Sequence, residues 1–557
     1  MSLRGVVRNA GTGDPLPRAL VRIEGDAEAA ALTDGAGRFE IPGVPEGPQT
    51  VQVRKPGFRD RQYATEEVGY QADGPAHSVL VAPAMPDLVF SLAPNAAIYG
   101  HIELSTGDSA QEIVVVLLKQ IIRNGRAVWA HEAVSRTNGS GEYRFGGLAE
   151  GVYVLATAPS LESEPAVTVV APGIATAVAR EGYRATYFPE APEFVAAGRI
   201  RLAGGAQAEV NLHLTLEPFY AVTATALLPN GRPFSGNQAS QGFSATPAFV
   251  AVLDAGGRRL PYGCQFDQAT RTFQANLPDG VYSLLVSVAA EEPNRSEPGN
   301  ALRGKAANPA SLTGFVEFSV EGHAVQNLRI PLAPMAGWPI HLRAERKAID
   351  SPQANAAVNR GLQNVVSLTA TEAAEPSLDA AGGDTTSEVA GPDLLEMSRI
   401  ALGPNWIGVQ VNDRALCLDS FVAGGRNFAR EPLDLGPMTA APPMEIVLRD
   451  DCARLELQLP QGLSAFLPGD EPFYTVYVVP DFDTPADVPP MAVHPSSGAS
   501  LTVDGLTPGN YHVYTFDRPV RLEYRNPAAL AALPRSGQAI TLASGNTTEL
   551  VLEAPGR

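Results

Sequence analysis

The stretch Thr33-Asp34-Gly35-Ala36-Gly37-Arg38-Phe39-Glu40-Ile41-Pro42-Gly43-Val44-Pro45-Glu46-Gly47 restricts the folds open to this chain more than any other. Phe39 and Ile41 alternate with Arg38 and Glu40, the period-two pattern of a strand with one buried face. Gly37 and Gly47 mark bends, and Thr50-Val51-Gln52-Val53 supplies a second strand. The pattern then returns. Thr33, Gly37, Phe39, Ile41, Gly43 and Gly47 fall without a gap on Thr137, Gly141, Tyr143, Phe145, Gly147 and Gly151. A worn copy runs from Thr270 to Tyr282 and another from Gly498 to Val513, while Leu402 to Val409 stands in the fourth place. Short strands with turns every several residues, repeated in this way, predict an all-β tandem array of about five β-sandwich domains.

The openings and closings of the modules set expected limits. Each module opens on a strand such as Leu3-Arg4-Gly5-Val6-Val7 or Ile98-Tyr99-Gly100-His101-Ile102. Each closes on one such as Leu88-Val89-Phe90-Ser91-Leu92 or Leu328-Arg329-Ile330-Pro331-Leu332. The expected domains are 1–95, 96–218 with a long insertion, 219–335, 336–451 with an acidic loop, and 452–557. Only a few residues separate one closing from the next opening, which favours a stiff rod or a compact curved array over loose beads. Arg123-Asn124-Gly125-Arg126, between apolar runs, predicts a type I′ hairpin. Asn526 followed by Pro527 predicts a short capped helix over 527–533.

Charge argues against some partners. A net charge of −19, from 41 basic and 60 acidic residues, leaves no cation surplus to replace phosphate counterions, so no nucleic acid is expected. No run of about 18 apolar residues occurs, so no membrane span is expected. Met1-Ser2-Leu3 leads directly into a strand, which leaves either a cytoplasmic protein or one whose signal peptide lies outside this numbering. Seven carboxylates and no Lys or Arg occupy the segment from Glu372 to Glu396, which is expected to be a mobile loop; its spacing matches no EF-hand loop.

Candidate sites are sparse. Of three cysteines, Cys417 sits in the apparent strand Ala415-Leu416-Cys417-Leu418 and Cys452 follows the strand Ile446-Val447-Leu448. A disulfide between them is within geometric reach, with two buried free thiols as the alternative. Tyr183, Tyr187 and Phe188 form the densest aromatic loop and are the candidate surface patch. Trp129, Trp338 and Trp406 lie in or beside apparent strands, where core or interdomain packing is the expected role and sugar stacking the sharper one. The eight histidines form no HxxE or HExxH, and no phosphate loop, nucleophile elbow or catalytic acid pair is present. No catalytic residue, cofactor or metal is therefore assigned.

Gly5 and Val7, Pro15-Leu16, Ala19 and Val21, Thr33-Asp34, Gly37, Phe39, Ile41 and Gly57-Phe58 together resemble the carboxypeptidase regulatory-like domain, also described as transthyretin-like or Cna B-type. Module two resembles it mainly over the central element, and modules three to five only weakly. The resemblance implies Ig-like or transthyretin-like sandwiches of the kind found in tandem in large secreted bacterial proteins, and so favours an exported chain. It implies a non-catalytic extracellular or cell-envelope protein with a structural or adhesive role, whose partner is a protein or polysaccharide surface or a second copy. Two alternatives accompany it. One is a carbohydrate-binding array. The other is a filament subunit donating an edge strand, with Leu3–Val7 or Glu549–Leu552 as donor.

Overall fold

The computed structural model describes the chain except for residues 27, 61–75, 84, 86, 163–178, 236–247, 256, 290–310, 335–337, 347–351, 374–377, 379–384, 398–402, 436–441, 459–473, 489–490, 494–499, 517–519, 536 and 554–557. Among the described residues it is an all-β molecule of ten sheets. Five apolar cores each join two of these sheets into a sandwich.

One wiring recurs along the chain. In the first, Leu3–Asn9 pairs antiparallel with Arg38–Ile41 and parallel with the closing strand Leu88–Pro94. In the second, Ala96–Leu104 takes Glu142–Leu148 on one side and Gln207–Glu209 with Leu212–Leu214, in parallel, on the other. Glu217–Leu227, Trp338–Glu345 and Ala453–Gln458 repeat the arrangement.

The two strands of the recurring element do not form a hairpin. Arg38–Ile41 lies in the sheet of Leu3–Asn9, whereas Gly47–Arg54 lies in the facing sheet beside Leu20–Ile23. The element carries the chain across the sandwich, so Phe39 and Ile41 meet Val51 and Val53 in one core. In module four the strand paired with the opening strand is Leu394–Met397, and Gly403–Val411 is the second strand, in the other sheet. The expected copy at 402–409 is therefore only the far half of the element.

Two further expectations change. The second half of the acidic segment is not a loop: Glu388–Gly391 and Leu394–Met397 form a hairpin, in which Leu395 and Met397 alternate into the module-four core. Residues 374–377 and 379–384 of that segment lie outside the described residues. The module-two insertion does not all stay with its module. Arg180–Tyr183 pairs with Glu217–Leu227 and extends the sheet of module three.

Module two is also where both faces of one sheet are covered. Val115 and Leu117 enter its sandwich core. Val116 and Leu118 enter a second cluster with Val154, Ala185, Tyr187, Phe194 and Leu378 of module four. The unalternated run Val114-Val115-Val116-Leu117-Leu118 is the sequence counterpart of that double burial.

Candidate functional site

Strands Val114–Arg123 and Arg126–Arg136 form a hairpin too long for its own sandwich, and its tip leaves module two. Asn124 and Gly125 close it with φ of 47° and 70°, the positive values of a type I′ turn. Gly125 is required twice over. A Cβ there would also lie 2.5 Å from the ring of Tyr524 in module five.

The tip sits in a seat built by modules four and five. The Arg126 guanidinium carbon lies 3.5 Å from the centroid of the Trp406 ring, and its Nη2 donates to the Ala429 carbonyl at 2.9 Å. From module five, the Arg525 backbone N–H donates to Gly125 O at 2.9 Å and its Nε donates to Asn124 O at 3.1 Å. The remaining Arg525 nitrogens donate to Thr484 O at 2.7 Å and Ala486 O at 2.8 Å. Burial, with the neighbouring Arg525 cation second, brings Arg126 down to about 10, so it stays charged at neutral pH. A stacked, desolvated guanidinium over an indole is the strongest form of this contact, worth about 2 kcal/mol.

The two walls of the seat are themselves joined. The Val409 N–H donates to Pro485 O at 3.1 Å, and Val409 bridges to Ala486 in parallel. The Thr507 hydroxyl of module five donates to Leu418 O at 2.6 Å, and Arg430 pairs with Asp483. Cys417 and Cys452 form a disulfide with Cα atoms 5.8 Å apart. Cys452 belongs to the connector between the modules. Beside it Asp451 accepts from Arg449 Nε at 2.5 Å and Nη2 at 2.7 Å and from the Ser544 hydroxyl. The Arg449 hydrogen bonds hold the Asp451 carboxyl down to about 2. Cys264 is a free thiol that burial pushes up to about 12.

The expected aromatic surface patch is not on the surface. Tyr183 is 2% exposed inside the module-two core, and Tyr187 is buried in the second cluster against Phe194. Phe188 is half-buried against the same core. The reason is local: Thr186–Tyr187 is a strand on the edge of Gly151–Thr157, which directs these rings into packing. The tryptophans are engaged in packing, Trp338 buried and the other two half-buried. Trp338 is in the module-four core, Trp129 packs edge-on to Phe194 beneath Arg199, and Trp406 lies beneath Arg126. Asp34 and Asn138 serve their turns: each Oδ1 accepts two backbone N–H groups, Ala36 and Arg38 for the first, Ser140 and Glu142 for the second.

Both terminal strands expected as donors pair within their own modules, Leu3–Asn9 on both sides and Thr547–Val551 on one. Among the described residues no group of three or more His, Cys, Asp or Glu is placed to hold a metal, and no helix is long and apolar enough to cross a membrane. The hairpin turn and a packing role for Trp406 are legible in the sequence, whereas Arg126, Tyr524 and Arg525 stand in no motif that marks them. The available signal was an Asn-Gly tip bracketed by two arginines at the end of strands of 10 and 11 residues.

Residues 2–77 match the model of the carboxypeptidase regulatory-like domain. The chain has no match among curated proteins. Similar solved structures include the minor pilin GBS52 of Streptococcus agalactiae, at 14% identity over 38% of this chain and 95% of that one, with a TM-score of 0.19. A streptococcal ancillary pilin is similar at 10% identity over 60% of this chain and 100% of that one, TM-score 0.18. BcpA, the major pilin subunit of Bacillus cereus, is similar at 12% identity over 64% and 99%, TM-score 0.15.

Proposed function

We propose that this chain is a non-catalytic extracellular or cell-envelope protein with a structural or adhesive role, built of five sandwich modules at about 1–95, 96–218, 219–335, 336–451 and 452–557. The observation that carries the reading is the hairpin seat. A contact linking module two to modules four and five makes the array fold back on itself and hold its modules in fixed relation. The groups there are spent on ring and carbonyl contacts between modules, which is the chemistry of a clasp rather than of a reaction.

The other junctions support the same role. Arg59 of module one donates to Gly147 O of module two, and Arg184 pairs with Glu217 where modules two and three meet. Small-angle scattering tests the architecture. Wild type gives a compact profile, and Trp406→Ala or Gly125→Ala enlarges the radius of gyration. Identical profiles for all three proteins reject the clasp. Retention of bead-bound protein on a panel of immobilised extracellular proteins and polysaccharides tests the adhesive role, which fails if nothing on the panel is retained.

The filament alternative keeps one foothold: the outer edge of Thr547–Val551 has no strand beside it among the described residues, and Val551 there is 55% exposed. Concentration-dependent growth in light scattering, abolished by Leu550→Pro, is the outcome that favours it. The carbohydrate alternative is less favoured, since Trp338 is buried and Trp129 and Trp406 carry an arginine over their rings; a glycan array without hits removes it.

A further inference from the structure

The hairpin seat has two walls from different modules. Module four supplies Trp406 and the Ala429 carbonyl; module five supplies Tyr524 and Arg525. A hairpin docked across two bodies remains docked only while those bodies keep their relative placement.

The connector Arg449–Arg454 shares in setting that placement with the Val409–Pro485 and Arg430–Asp483 contacts, and the disulfide is its covalent part. Cys417 begins the strand Cys417–Ala423, which pairs with Met444–Arg449. The bond to Cys452 ties this strand to the connector itself. Beside it Arg449 holds Asp451 within module four, and three non-covalent ties reach module five: Ser544 to Asp451, Gly545 N–H to Asp451 O at 3.0 Å, and Thr507 to Leu418 O. Opening the disulfide leaves the ladder between 417–423 and 444–449 intact, so module four keeps its core. What loosens is the angle between the two walls.

We propose that Cys417 and Cys452 form a redox latch for the hairpin seat: the disulfide form holds modules four and five so that the hairpin stays docked, and the dithiol form releases it and uncovers Trp406. This rests on the clasped-array reading above. The reductant is a dithiol. Its thiolate attacks Cys452 Sγ, the half-buried sulfur, while Cys417 is 1% exposed and departs as thiolate. The second reductant thiol then displaces Cys452 from the mixed disulfide. Net, the protein's disulfide gains two electrons and two protons, and the two reductant thiols become a disulfide.

Hydrogen exchange at the Arg525 amide, which donates to Gly125 O, reads the docked state directly. The experiment compares oxidised wild type, wild type held reduced in dithiothreitol, Cys417→Ala/Cys452→Ala, and oxidised Gly125→Ala. The expected result is at least tenfold faster exchange at Arg525 in the last three, unchanged protection across Met444–Arg449, and recovery of slow exchange when dithiothreitol is removed and the protein reoxidised. Equal Arg525 protection in oxidised and reduced wild type, with loss in Gly125→Ala, overturns the latch and leaves the clasp standing. Unchanged protection even in Gly125→Ala overturns the clasp and the latch with it. Loss of protection across Met444–Arg449 on reduction also overturns the latch, since the disulfide is then a staple of module four.

Discussion

At the scale of single residues, the molecule repeats a few local solutions. Gly5 leaves room for the Phe39 ring, whose atoms would lie 2.7 Å from a Cβ there, and Gly100 stands in the same relation to Tyr143 and the Val210 carbonyl. Phe39→Ala and Tyr143→Ala are each expected to destabilise their own module by about 3–5 kcal/mol, read from the unfolding midpoint. Tyr143→Phe is the finer test. It keeps the ring but leaves the Val210 carbonyl without the hydroxyl that donates to it at 2.6 Å, a loss of about 1–3 kcal/mol. A second solution leaves no mark in the hydropathy pattern. Tyr153, Tyr282 and Tyr511 each donate to the carbonyl four residues back, Ala149, Pro278 and Thr507, and lock the far bend of the crossing element. Their common Gly-x-Tyr was visible in the sequence, but an apolar-polar count sees only another buried aromatic. Thr33 and Thr137 were aligned between copies, yet only the structure shows why they match: each buried hydroxyl accepts a backbone N–H and donates to a carbonyl.

At the scale of elements, period-two alternation located most strands, because a sandwich strand buries one face. It said nothing of which sheet each strand joins. Phe39 and Val51 have the same pattern whether their strands pair as a hairpin or face each other across a core, and the sheet assignment depends on long-range pairing with Leu3–Asn9 and Leu20–Ile23. Aromatic loop residues failed for a similar reason: Tyr183 and Tyr187 carry no local sign of the edge strands they join. The run Val114–Leu118 allows a decisive test. Leu118 lies outside the sandwich core of module two, so a solvent-facing side chain would tolerate Leu118→Ala; packing against Phe194 and Tyr187 predicts a loss of about 2–5 kcal/mol in the unfolding midpoint. The start of the capped helix was legible, since Asn526 accepts from the Ala528 and Ala529 N–H groups and proline follows it, a purely local device; the helix ends at Ala531, two residues before the expected limit.

At the scale of the whole molecule, the least legible feature is the return of module two to modules four and five, since no local pattern records which distant surface a hairpin tip will meet. Its dependence on the connector gives a pH prediction. The Asp451 carboxyl is held at about 2 by Arg449, below the ordinary carboxylate value, so its contribution is complete above about pH 4 and is lost as pH falls through 2. Between those values the unfolding midpoint of wild type falls more steeply than that of Asp451→Asn; parallel curves reject the assignment. The shared wiring has another consequence. Because each module's opening and closing strands run parallel as neighbours, the chain enters at one pole and leaves at the other. Tension applied to the ends then loads that ladder in shear, so its hydrogen bonds must fail together rather than unzip one at a time. Single-molecule stretching is expected to show an early, low-force release of the clasp followed by separate high-force ruptures of the modules, the mechanical profile of a load-bearing tether with a yielding fold-back.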